Sequence, residues 1–160
     1  MNRPGKTPPR FNGIAFISAA AIAPGISLAI FYLSAAVVEQ PTVPGDIGSF
    51  LFLQLLVSVW GLVPSLAFGG LVMALIRRVP WRGQPATAVF MLGGVAAAGL
   101  YVLAGLGAAE LSPGAALFFA PWAPDLGAPG GIDPDWWVVA SLLLAGAGAG
   151  LIYGMCVKRG

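Results

Sequence analysis

Four stretches of this chain, 12–38, 49–76, 86–109 and 136–157, contain no Asp, Glu, Lys or Arg. Each is at least 22 residues long and mostly apolar. A helix rises about 1.5 Å per residue, so each can cross a hydrocarbon core of about 30 Å. Nothing else in the sequence restricts the fold so tightly. In lipid, a spanning backbone must satisfy its own polar groups, and a helix does so within one segment. The expected fold is an all-α, four-transmembrane-helix bundle made of two helical hairpins.

The charges lie between these stretches, and they are sorted by sign. All eight basic residues fall in the N-terminal tail (1–11), the central stretch Arg77, Arg78 and Arg82, or the C-terminal end (Lys158, Arg159). All six acidic residues, Glu39, Asp46, Glu110, Asp125, Asp133 and Asp135, fall in the two other connections. Lys and Arg favour the cytoplasmic side. The tails and the central stretch are therefore expected in the cytoplasm, with Arg77, Arg78, Arg82, Lys158 and Arg159 as topology anchors. The apolar run after the basic tail is too long for a signal-peptide core, and Pro24 follows its best small-residue site, so it is read as a retained first span. Short loops and the Ala- and Gly-rich composition point to a bacterial inner membrane, with the lipid bilayer as the first partner.

Composition excludes several chemistries. Only 9% of residues are charged, against about a quarter in a soluble domain. The net charge of +2 sits in small clusters beside apolar segments, with no basic face for nucleic acid. The chain has no His and a single cysteine, Cys156. That removes an internal disulfide, a Cys–Cys redox pair and His-based acid–base catalysis. No nucleophile–base pair, metal cluster or phosphate cradle is visible, so no catalytic, cofactor or metal residue is expected and the chain is read as a non-enzyme.

Four patterns remain. Gly146, Gly150 and Gly154 recur every fourth residue, which places them along one helix face; Gly93 and Gly94 stand four residues before Ala97 and Ala98. Small faces let helices approach closely in lipid, so Gly93, Gly94, Ala97, Gly146, Gly150 and Gly154 are expected to form a packing seam, within the chain, with another membrane protein or with a second copy. Pro24 and Pro64 lie inside spans and are expected to kink them. Phe118, Phe119 and Trp122 in the 110–135 connection, with Trp136 and Trp137, are expected at the outer interface, where aromatic residues concentrate. Among the few intramembrane polar groups, Gln54 is the costliest to bury, and a hydrogen bond to another helix or a place near the outer interface is expected for it. A weaker sign is that Phe16 with Gly25 and Phe90 with Gly99 share a spacing of nine, as parallel repeats would.

In size and span number the chain is similar to the small multidrug-resistance transporters. None of its spans carries the membrane-embedded glutamate that those transporters use, and it is not assigned to them. Two functions fit these features: a structural or accessory subunit acting by helix packing and its outer loop, or a small transporter or channel. They differ in what the bundle should hold. A transporter predicts a polar cavity reaching mid-membrane, and an accessory subunit predicts a solid centre.

Overall fold

The computed structural model describes residues 11–37, 47–78, 86–111 and 136–157. They form four α-helices: α1 (Gly13–Val37), α2 (Ile47–Ile76), α3 (Ala86–Leu111) and α4 (Trp136–Val157). Each is long and apolar enough to cross a membrane. Ile47 opens α2 two residues before the expected span, and Leu111 closes α3 two residues beyond it. Glu110 is a good helix former, so a single charge does not end α3.

Local chemistry explains the ends that are described. Asn12 caps α1: its Oδ1 accepts the Ala15 N–H at 3.1 Å, and its carbonyl accepts the Phe16 N–H at 3.0 Å. This satisfies donors that the first turn would leave orphaned. At the end of α2, Arg77 N–H still reaches the Met73 carbonyl at 3.1 Å, while Arg78 N–H reaches back only three residues to Leu75 at 2.9 Å. That tightened turn stops the helix.

The helices form a ring. Each touches its two neighbours, and the diagonal pairs α1–α3 and α2–α4 do not meet among the described residues. The α3–α4 contact is the most extensive and the α2–α3 contact the thinnest. Of α2, only Val72 is buried.

None of the helices has a polar face. Leu51, Leu55, Val59 and Val63 form an outward stripe on α2, each 59–68% exposed. Leu92 and Leu103 do the same on α3, at 70% and 64%. In water each such side chain would forgo roughly 1.5–3 kcal/mol of burial. A surface of this kind suits hydrocarbon, and four helices long and apolar enough to span suggest a multi-pass membrane protein.

Candidate functional site: a glycine seam beside an apolar cavity

The seam comes first, because it holds two walls of the cavity together. A Cβ added at Gly94 would collide with the Gly146 carbonyl, and one at Gly146 with the Gly94 carbonyl and, at 2.9 Å, with Ala98 Cβ. A Cβ at Gly150 would lie 2.7 Å from the Phe90 carbonyl carbon and 3.0 Å from Met91 Cα. At Gly154 it would lie 3.1 Å from Thr87 Cα. The helices therefore run antiparallel, backbone on backbone, over more than two turns. Gly93 stands one residue from Gly94 and points elsewhere. Its space is taken by Ile76 Cδ1 and Val72 Cγ1 of α2. Ala97 lines the cavity rather than the closest part of the seam.

A second face of α4 meets α1. Gly148 admits Ile26, with Ile26 Cδ1 at 3.4 Å from where a Cβ would be. Ser27 and Ser141, both buried, share a hydrogen bond at 3.1 Å, and Ser141 Oγ also donates to the Val138 carbonyl at 2.8 Å. The alternating small residues of Leu144–Leu151 thus supply α4 with two close-packing faces.

The α1–α2 contact is built differently. The Pro24 ring occupies the space beside Gly61, with Pro24 Cβ 2.7 Å from where a Cβ on that glycine would stand. Gly25 is covered by the Gln54 side chain, and Gln54 Oε1 is buried with no hydrogen-bond partner. The sequence expects of Gln54 either a hydrogen bond to another helix or a place near the outer interface; its Oε1 makes no such bond, and the side chain fills the space over Gly25. Both α1 and α2 continue as helix through Pro24 and Pro64.

Between the four helices lies a partly open cavity of about 630 Å³. It runs along α2 from Leu56 to Ile76 and along α4 from Val138 to Tyr153. At 1.5 Å per residue that is about 20–30 Å. The lining is mostly apolar, and its polar groups are few: Ser27, Ser65, Ser141, Trp60, Tyr101 and Tyr153. One end is packed shut. The Tyr153 ring meets Phe90 edge-on at 4.8 Å and Phe16 at 6.3 Å, and Asn12 N–H donates to the Tyr153 hydroxyl at 3.4 Å. Phe16 and Phe90, the pair with matched spacing in the sequence, both pack against the Tyr153 ring.

Comparison with known proteins finds no matching family model, curated protein or solved structure.

The chemistry of the cavity follows from its lining. Water is a poor filler, because a buried water needs two to four polar partners and apolar cavities stay dry. A lining of this kind suits hydrocarbon better than water. Among the described residues no group of His, Cys, Asp or Glu side chains comes together.

Of the remaining sequence-predicted residues, Arg77 and Arg78 are exposed at the end of α2, and Arg77 lies over the Phe11 ring at 5.9 Å. Trp136 and Trp137 open α4. Phe118, Phe119, Trp122, Arg82, Lys158 and Arg159 lie outside the described residues. Sequence reasoning marked Phe90 only by its spacing from Gly99 and gave Tyr153 and Gly61 no packing role. Nothing in the local pattern separates these residues from the other apolar and small residues around them.

Proposed function

We propose that the protein is a small non-enzymatic subunit of a bacterial inner membrane, with four spans and both termini and the central stretch in the cytoplasm. Its work is done by packing: the α3–α4 pair is a fixed unit, and α1 and α2 attach to it more loosely. The observation that supports this best is the nature of the tightest contacts of α3 with α4 and of Pro24 with Gly61. Glycine meets backbone, proline meets glycine and aromatic rings meet each other, while charge is confined to helix ends. The outer connection 110–135 is the further contact surface in this reading.

A small transporter is the second reading, and the cavity is the observation in its favour. The cavity's apolar lining and the Phe16–Tyr153–Phe90 plug argue against a path for ions and favour, within this second reading, a carrier of apolar molecules.

Two measurements test the proposal. With Cys156 replaced by Ser, cysteines introduced at Thr42 and Ala128 should react with an impermeant reagent from outside, and one at Gln84 should not. Labelling of Gln84 from outside reverses the topology. Purification in mild detergent should retain a second membrane protein or a defined oligomer. A partner-free monomer that moves an apolar solute across proteoliposomes would favour the carrier instead.

A further inference from the structure

We propose that the cavity holds one acyl chain of an anionic phospholipid, with the lipid phosphate on Arg77 and Arg78. The inference rests on the membrane reading above and adds a ligand to it. Three observations converge. The cavity has a volume of about 630 Å³, within the range of small-molecule sites, about 300–1,000 Å³. It is elongated along the helix axes, and one leaflet's share of a ~30 Å hydrocarbon core fits within its length. Its lining offers an acyl chain apolar contact and offers water almost no partners.

A further observation, at the rim of the cavity, is charge. Ile76 lines the cavity, and the next two residues, Arg77 and Arg78, are exposed. They are the only basic side chains among the described residues, and both stand at this one end of the bundle. Arg77 is tied to the plug through rings: its guanidinium lies 5.9 Å from the Phe11 ring, which lies 5.8 Å from Phe16, itself part of the cavity wall. Glu110, the one acidic residue described, lies at the opposite end of α3. An apolar slot with two exposed guanidinium groups just past its wall residue Ile76 complements a phosphate attached to a hydrocarbon tail, which would leave the slot sideways between α2 and α3 because the Phe16–Tyr153–Phe90 plug shuts the end. The thin α2–α3 contact is the way in. There the barrier is the Ile76 side chain resting on Gly93, and a side chain moves more readily than the backbone seam opposite.

Each arginine near an anionic surface contributes about a fivefold preference for the charged lipid. The test uses full-length protein in phosphatidylcholine vesicles. These carry a small fraction of either phosphatidylglycerol or phosphatidylcholine bearing a photoreactive diazirine in the acyl chain. Labelled residues are mapped by mass spectrometry. Outward-facing Leu92 and Leu103 report bulk lipid and should be labelled equally by both probes. Cavity-lining Phe90, Ala145 and Ala149 should be labelled by the phosphatidylglycerol probe at least about fivefold more than by the phosphatidylcholine probe. In the double variant Arg77→Gln, Arg78→Gln the two probes should label the interior alike. The proposal is overturned if only Leu92 and Leu103 are labelled, if the wild-type interior shows no headgroup preference, or if the double variant keeps it. An unlabelled interior in a dimeric protein would mean that a helix of a second copy fills the space. Flotation with the vesicles reports separately on membrane insertion, so a failure of that reading is distinguishable from a failure of the lipid site.

Discussion

Gly150→Ala is the smallest perturbation that tests the α3–α4 seam. The added methyl would overlap the Phe90 carbonyl, 2.7 Å from its carbon, and would sit 3.0 Å from Met91 Cα. Ordinary contact begins near 3.4 Å, so the backbones must separate by about 0.7 Å to clear the carbon (3.4 − 2.7) and by more to clear the carbonyl oxygen, which lies closer still. The opposing atoms are main chain, so no rotamer change relieves the clash. A gap of 0.5–1 Å forfeits a quarter to a half of the dispersion energy of each facing pair. The loss would spread along Gly94, Gly146 and Gly154. Overpacking of this type costs about 1–3 kcal/mol, and alanine's better helix propensity returns at most about 1 kcal/mol. Gly150→Ala should therefore lower stability by roughly 1–2 kcal/mol. Gly70→Ala is the control, since a Cβ there meets nothing within 4 Å. It should be neutral or gain up to about 1 kcal/mol. Unfolding in mixed micelles, followed by tryptophan fluorescence and circular dichroism, measures both. If Gly150→Ala proves as stable as Gly70→Ala, the helices are not in backbone contact and the seam does not exist.

Two further tests give outcomes that simple conservation of polarity would not suggest. Gln54→Met keeps the bulk over Gly25 and removes a buried oxygen that has no partner. It should leave stability unchanged or raise it by up to about 1–3 kcal/mol, the cost of an unsatisfied buried group; a clear loss in the same unfolding assay would show that Gln54 makes a bond on which the fold depends. Ser27→Ala and Ser141→Ala remove the two ends of one hydrogen bond between α1 and α4. A double-mutant cycle should return a coupling near 0.6 kcal/mol, the usual size for such bonds in a bilayer, and a coupling indistinguishable from zero would mean that Ser141 relies on the Val138 carbonyl alone.

The spans were legible because the free energy of placing a segment in hydrocarbon is largely local. Four uncharged runs of sufficient length imply four long helices whatever their neighbours do. Periodicity also carried information: glycines four residues apart share a helix face, and Gly146, Gly150 and Gly154 lie on one face of α4. The partners of each face were not legible. Gly93 and Gly94 are the same residue type at adjacent positions, yet about 100° of helical rotation sends the first to Ile76 of α2 and the second to Gly146 of α4. In a soluble bundle an apolar stripe would have told inside from outside. Here all four helices are apolar all round, because the solvent outside is expected to be as apolar as the core. With that signal gone, the closure of the ring, the missing diagonal contacts and the cavity they leave were decided only when the helices packed. The same holds for Gln54, whose composition promised a hydrogen bond and whose place over Gly25 denies one to its oxygen.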